Sequence, residues 1–559
     1  MRLPYLTLAA GLMALAACSI VAAEPQNPAE ITGGLRDTSN IPKEFIRRQG
    51  TRLVAGPGDQ PVLLQGVCFG NQVWGNPKTP PATHHDEADF QRVRDMRMNV
   101  IRFYLNYALF EDDRAPYTYK PAGWEWLDRN IQWAKKHGIY LILNMHYPQG
   151  GFQSNGDGLA LWDNSENQNR LTALYRAIAE HCRQEPTVAA YDLVNEPVVS
   201  KALEQWRSLA VRLTEAIRSV DRNHLIIVER LNAIKGQWKN DENMNFFLLN
   251  DANLMYTFHF YSPIEYSHQT TSWTGLPEDG SYPDPIIMPP SDTTWCGASF
   301  GNAVLPAGDT DWKEYVGEMF LAKDPKFMTA KPALVGASNH GSAWFGDFVV
   351  KEFDANRSLL RVLWATNVTS MKNASFWSKN KSGKCQLAPG AGPQGRSALE
   401  IQGTTDDSNY ALNIYRFKVT PGHYYQLNGF MKGRQVSPGA RCMFRLDFET
   451  SPSGGRIMTR NREYLAAELK QYLDWGKRNN VPLYVGEWGL FKRCFDEGKG
   501  GLNWVSDMMS LLTEAEVHFT YHTYHETGFG LYYYDSNTLP DPAKANTGLI
   551  KLFTQRPVK

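Results

Sequence analysis

Short apolar runs alternating with helical periodicity run through this chain and leave it few possible folds. Residues 62–67, 99–104, 139–144, 191–194, 225–228 and 254–258 are nearly continuous in Val, Ile, Leu and aromatic side chains. Between them, 86–96, 124–136, 167–183 and 203–220 carry apolar residues at helical spacing, as in Leu171, Leu174, Tyr175 and Ile178. Gly138 follows the second of these segments, as a glycine does where a helix stops. Strands apolar on both faces and joined by helices imply a parallel sheet covered on both sides. The expected fold class is therefore α/β, a (β/α)8 TIM barrel.

The rhythm breaks after Tyr261 and resumes at a helix over 463–478, a strand over 483–486, a helix over 504–512, a strand over 518–524 and a closing helix over 549–553. The gap is far longer than a βα unit needs. Within it, 343–350, 410–419, 424–431 and 442–448 read as strands separated by Gly, Pro, Ser and Asn turns, the pattern of a β-sandwich set into a barrel loop. A barrel alone needs about 250 residues, so a chain of 559 has room for such an insert. The expected organisation is a signal over 1–23, a linker over 24–40, barrel over 41–325 and 457–559, and a jelly-roll-like sandwich over 326–456.

The N-terminus sets Arg2 before an apolar run too short to span a bilayer, which marks an export signal. Leu15-Ala16-Ala17-Cys18 resembles a bacterial lipobox with Cys18 as the acylated residue; Val21-Ala22-Ala23 offers a cut that releases a soluble protein. The protein is thus expected outside the cytoplasm, as an outer-membrane lipoprotein, periplasmic or secreted, touching a membrane only through a lipid on Cys18. Charge is balanced, 58 basic residues against 58 acidic, which argues against nucleic acid as a partner. Setting Cys18 aside, six cysteines remain, and Cys385 and Cys442, both in the β-rich region, are the expected disulfide. The spacings give no zinc signature.

Polar residues collect where the barrel strands are expected to end. Arg102, His146, Asn195, Glu196, His259, Tyr261 and Glu487 all fall at C-terminal strand ends, where a barrel core would use Val or Ile and where barrel enzymes keep their chemistry. Two of them are glutamates, in Asn195-Glu196-Pro197 and Gly486-Glu487-Trp488-Gly489. Cleavage of a glycosidic bond needs such a pair: one acid protonates the leaving oxygen while a second carboxylate attacks or activates water.

These motifs resemble glycoside hydrolase family 5. Asn195-Glu196-Pro197 is similar to that family's acid/base motif and Gly486-Glu487-Trp488-Gly489 to its nucleophile motif. Residues 99–102 resemble the stretch carrying its strand-two arginine, His146 its strand-three histidine, and His259-Phe260-Tyr261 its His-x-Tyr pair. The resemblance covers about 60–275 and 458–530. It implies Glu196 as acid/base with a raised pKa, Glu487 as ionised nucleophile held by Arg102 and Tyr261, and Asn195 on the sugar 2-hydroxyl. His146 and His259 would orient the cleft. The family's strand-eight tryptophan is replaced by His522, so Trp488 or Tyr524 is expected to supply the stacking surface. The inserted region resembles carbohydrate-binding modules through residues 397–401, 419–425 and 429–433.

Two other patterns carry no chemistry. Residues 390–395 fit G-x-G-x-x-G but lack a βα setting and are interrupted by Pro393. His84-His85-Asp86-Glu87 reads as a helix start, where acids suit the dipole. No H-E-x-x-H motif occurs. The sequence therefore points to a monomeric retaining glycosidase acting on a β-glucan or related polysaccharide or oligosaccharide, with no cofactor and no metal. A β-mannanase or exo-glucosidase of the same family, or a surface lipoprotein that binds glycans without cutting them, are the alternatives.

Overall fold

The computed structural model describes residues 44–555 apart from 76–77, 83, 236–244, 277, 279, 289–292, 300–302, 367–374, 413–415, 453–457, 527 and 534–537. The export signal, the linker and Cys18 lie outside the described residues. Eight parallel strands close into a barrel. They are β1 (Gln65–Phe69), β2 (Val100–Asn106), β3 (Tyr140–Tyr147), β4 (Val188–Asp192), β5 (Leu225–Glu229), β6 (Leu254–Phe260), β7 (Leu483–Trp488) and β8 (His518–Tyr521). Helices α1 (Glu87–Asp95), α2 (Pro121–Lys136), α3 (Ser165–Cys182) and α4 (Leu203–Arg218) follow the first four strands. Helices α5 (Arg462–Arg478), α6 (Gly501–Glu514) and α7 (Thr547–Gln555) accompany the last two. Helix α1 is capped by Asp86, whose side chain accepts from the Ala88 N–H. Among the described residues no helix is long and apolar enough to cross a membrane.

The strands hide a two-residue alternation beneath their apolar composition. Outward residues such as Ile101, Phe103, Leu143, Tyr191, Val228, Tyr256 and Val485 pack under the helices in one large core. Inward residues change character along the barrel axis. Near the strand starts, Val100, Ile142, Ala190, Ile227, Met255 and Tyr484 form an apolar plug, sealed by Ile46, Leu53 and Ala55. Those three belong to a small antiparallel sheet, Ile46–Gln49, Arg52–Ala55 and Gln60–Val62, lying across the barrel's N-terminal end. Two residues further along each strand the inward positions become Arg102, Asn144, Asp192, Glu229 and Thr257, all buried. The barrel is therefore dry and closed below and polar above.

The chain between β6 and α5 adds two antiparallel sheets, one around Thr329–Ala337 and Arg441–Thr450, the other around Asn339–Phe353 and Tyr424–Val436. Phe345 and Phe348 of the second sheet meet Phe444 of the first edge-on, in a shared hydrophobic core. Strands pairing into these sheets begin at Asp284–Met288, Thr294–Ser299 and Gly308–Val316, ahead of residue 326. The expected Cys385–Cys442 disulfide is absent; both cysteines are free. They sit on opposite sheets: Cys442 pairs with Gly336, Cys385 pairs with Ile401, and the Ile401 side chain fills the space over Gly336 between them.

Candidate active site

The polar layer is organised around one guanidinium. Arg102 is fully buried on β2, and burial would discharge it were it not ringed by carboxylates, which raise its pKa instead. Its Nε donates to Asp192 Oδ2 at 2.8 Å, its Nη1 to Glu487 Oε1 at 2.7 Å and its Nη2 to Asn195 Oδ1 at 3.0 Å. Asp192 also accepts from Asn144 Nδ2 at 2.9 Å, and Asn144 Oδ1 lies 3.0 Å from His146 Nδ1. One inward residue on each of β2, β3 and β4 is thus locked to its neighbour.

Glu487 ends β7 beside a local irregularity. The β6 to β7 register slips by one between Phe258 and His259, so that His259 pairs with Glu487 and Gly486 is skipped. A side chain at Gly486 would run into Thr257 Oγ1 at 2.9 Å and His259 Nε2 at 3.1 Å, which is why glycine precedes the glutamate. Both carboxylate oxygens are occupied. Oε1 takes Arg102 and the Tyr104 hydroxyl, the latter at 2.5 Å, and Oε2 takes the Tyr261 hydroxyl at 2.8 Å. Burial alone would push this carboxyl up, but His259, His522 and Arg102 outweigh it and hold Glu487 well below the usual range. It is an ionised carboxylate.

Glu196 lies in the loop after β4, at φ +42°. Its N–H donates to Glu229 Oε2 at 2.9 Å and its Oε1 lies 2.8 Å from His259 Nδ1. The resemblance implied a raised pKa for this carboxyl, and the structure reverses that. Burial pushes it up, yet the His259 imidazole beside it prevails and holds it below the ordinary value. His259 rises correspondingly to about 9: burial opposes its charge, and Glu229, Glu487 and Glu196 overcome that. Both shifts favour an imidazolium at His259 facing a carboxylate at Glu196 across this contact. A carboxylate oxygen of Glu196, one of Glu487 and a ring nitrogen of His259 all lie within 4.8 Å of one another.

Arg102, His146, Asn195, Glu196, His259, Tyr261 and Glu487 thus converge at one end of the barrel, and His522 joins them. Its Nδ1 is 3.1 Å from the Tyr104 hydroxyl and 3.7 Å from Glu487 Oε2. Trp488 and Tyr524 do not join them. Strand alternation turns Trp488 outward, fully buried against Trp504, Phe519 and Tyr521. Tyr524 is also fully buried, stacked on Phe69 with its hydroxyl on Asp89 at 2.6 Å. Neither has a face left for a sugar. The aromatic rings at the opening are Trp74, 42% exposed and edge-on to His146, and Trp273, 64% exposed beside Phe529 and His268. Both lie in loops after β1 and β6, where no periodicity marks them out.

Tyr104, Glu229 and Asp192 were also missed. Tyr104 and Asp192 stand two residues along from Arg102 and from Ala190, so the inward alternation could have found them. Glu229 ends β5 in the same register. The His84–His85 pair is buried, with the two Nδ1 atoms 2.7 Å apart and His85 Nε2 on Asn130 Oδ1 at 2.6 Å. It packs under Phe69, away from the polar layer.

A family model described as Cellulase (glycosyl hydrolase family 5) matches residues 56–357 of this chain. Glu487 lies beyond the matched stretch. Endoglucanase C of Acetivibrio thermocellus is 27% identical over 188 residues, covering 34% of this chain and 53% of that protein. A beta-xylosidase of Phanerodontia chrysosporium is 33% identical over 151 residues, covering 26% of this chain and 31% of that protein. The chain therefore spans about half the length, or less, of these curated relatives. Among solved structures, Cel5A of Thermotoga maritima in complex with mannotriose aligns with a TM-score of 0.46 at 15% identity, over 88% of this chain and 97% of that one.

Proposed function

Because the chain belongs to glycosyl hydrolase family 5, the cellulase family, we propose that it cleaves β-glycosidic bonds of a β-glucan or related polysaccharide by double displacement, with retention. The observation that carries the stereochemistry is the approach of the two glutamates. Their nearest carboxylate oxygens lie within 4.8 Å. Inverting enzymes need about 6.5–9.5 Å to seat a water between the carboxyls, whereas retaining ones need about 5 Å.

Glu487 has the form a nucleophile requires: ionised at working pH, pinned at both oxygens and beside the opening. Glu196 stands opposite as acid and base, since it shares a mobile proton with His259 and is the more exposed of the two side chains, 19% against 6%. In the first step Glu487 bonds to the anomeric carbon while Glu196 hands a proton to the departing oxygen. In the second, Glu196 takes a proton from water as that water displaces Glu487. Asn195, held by Arg102 through its oxygen, keeps its amide N–H groups for Ser154 and the sugar 2-hydroxyl. Trp74 and Trp273 offer the ring faces that Trp488 and Tyr524 lack, a sugar platform displaced from the family's strand-eight position. A barrel that only bound glycans would have no use for a second, fully caged carboxylate facing the first.

Glu487→Ala should abolish turnover of aryl β-glycosides, and added azide should restore it with a glycosyl azide of inverted configuration. Full activity in Glu487→Ala, or rescue by azide with retained configuration, would overturn the assignment.

A further inference from the structure

Glu229 has the chemistry of an active-site residue and no part in the two-glutamate scheme. It ends β5, and its backbone carbonyl accepts from Trp206 Nε1 at 2.8 Å, which fixes where the side chain starts. Its two oxygens face in different directions. Oε2 accepts the Glu196 N–H at 2.9 Å and lies 3.9 Å from Arg102 Nη2. Oε1 lies 3.5 Å from His259 Nε2, an ion-pair contact, and that nitrogen makes no hydrogen bond among the described residues. His259 therefore faces two carboxyls, hydrogen-bonded to Glu196 at Nδ1 and ion-paired with Glu229 across 3.5 Å at Nε2.

We propose that Glu229 is a positioning residue of the reaction: it fixes the pose of the acid/base glutamate and keeps the proton that Glu196 and His259 share from being lost. The first half follows from the backbone. Glu196 is not glycine, yet it sits at φ +42°, a left-handed conformation that strains a residue bearing a side chain. A hydrogen bond from its own N–H to a buried carboxyl is what holds it. The second half follows from charge. The charged and titratable groups facing Glu229 are Arg102 from β2, Asp192 and Glu196 from β4 and its loop, and His259 from β6, with Glu487 of β7 3.6 Å beyond His259. Arg102 is already taken up by Asp192 and Glu487, so it favours ionised Glu229 only in part. Burial pushes the Glu229 carboxyl up to about 8, near His259, so this cluster holds its protons into the mildly alkaline range. Taking away a carboxyl that can ionise beside Nε2 removes the support for the imidazolium, and the shared proton leaves at lower pH.

The inference rests on Glu196 as the acid, and the test separates the two. In Glu229→Gln the alkaline limb of kcat/KM on a substrate with a poor leaving group should move down by about one pH unit or more, the size expected when a carboxylate within about 4–6 Å is lost. Glu229→Asp, which keeps the charge but draws it back, should hold the limb close to the wild-type position and lose rate chiefly on poor leaving groups. An alkaline limb unmoved in Glu229→Gln, or a uniform loss at every pH, would overturn the proposal. So would failure of both variants to melt cooperatively, since that is how a purely structural residue behaves. If Glu487→Ala with azide gives the inverted product while Glu229→Gln leaves the profile alone, only the role of Glu229 falls.

Discussion

Tyr104→Phe tests how the cage around Glu487 divides its work between the two chemical steps. The hydroxyl lies 2.5 Å from Glu487 Oε1 and 3.1 Å from His522 Nδ1, and the ring stacks on His146, so the phenylalanine keeps the packing and loses one donor. A hydrogen bond to a charged group contributes about 1.5–3 kcal/mol. On the double displacement proposed above, Tyr104 stabilises Glu487 only while that carboxylate is charged: fully in the free enzyme, largely in each transition state, and hardly at all in the covalent intermediate. Removing it therefore raises the free enzyme and both transition states relative to the intermediate. The barrier to forming the intermediate changes little, and the barrier to leaving it rises by most of the bond's worth. At 1.36 kcal/mol per tenfold this is a loss of roughly 10- to 150-fold in the second step.

On an activated aryl β-cellobioside, kcat of Tyr104→Phe should fall by that factor while kcat/KM, which reports the first step, stays within a fewfold. KM should drop in parallel, and stopped mixtures should show the glycosylated protein by intact-mass measurement. Equal falls in kcat and kcat/KM with no accumulated intermediate would refute the reasoning. The hydroxyl would then be positioning Glu487 for attack rather than easing its departure.

Trp74→Ala should raise KM for oligosaccharides with little effect on thermal stability, whereas Trp488→Ala should lower stability by about 3–5 kcal/mol, the cost of emptying a buried aromatic site; titration of binding and denaturant melts distinguish them. Stability should fall as pH drops below about 6.5, the unfolded-state value for histidine, because several imidazoles are buried neutral. His518 is the clearest of them. Its Nδ1 accepts the Leu64 N–H at 3.1 Å, burial holds its pKa down to about 3, and the unfolded chain takes up the proton that the folded one refuses. Each such group costs up to about 1.4 kcal/mol per pH unit in that window. His518→Asn should flatten the slope by one proton in denaturant midpoints measured from pH 7 to 4. His259, raised to about 9, works in the opposite sense, its stabilisation fading from pH 6.5 to 9.

The barrel was legible because its strands are covered on both faces and so stand out as unbroken apolar runs, with a polar residue wherever one ends. That same feature hid the inward alternation. In β2, Val100, Arg102 and Tyr104 face the axis while Ile101, Phe103 and Leu105 face the helices, and by composition all but Arg102 pass for core. A charged residue inside an apolar strand declares its direction, and a tyrosine does not. Hence Arg102 was found and Tyr104 was missed, and Trp488 was placed in the cleft although it neighbours Glu487 and must point the other way. Parity also fails at Gly486, where the slip in register lets Glu487 follow Tyr484 inward at a spacing of three. The motif located Glu487; only the irregularity explains why it faces the barrel axis.

The pKa of Glu196 marks a different limit. Burial pushes it up and His259 turns it down, and that imidazole comes from β6 and meets Glu196 only because the barrel closes. A raised acid was expected from a buried carboxyl facing another carboxyl, and both of those conditions hold. What the strand order cannot convey is that an imidazole lies between the three carboxyls, within reach of Glu196 and Glu487 at Nδ1 and of Glu229 at Nε2. On the roles proposed above, the acid of this site is the Glu229–His259–Glu196 line, and its alkaline limit should follow whichever member is altered.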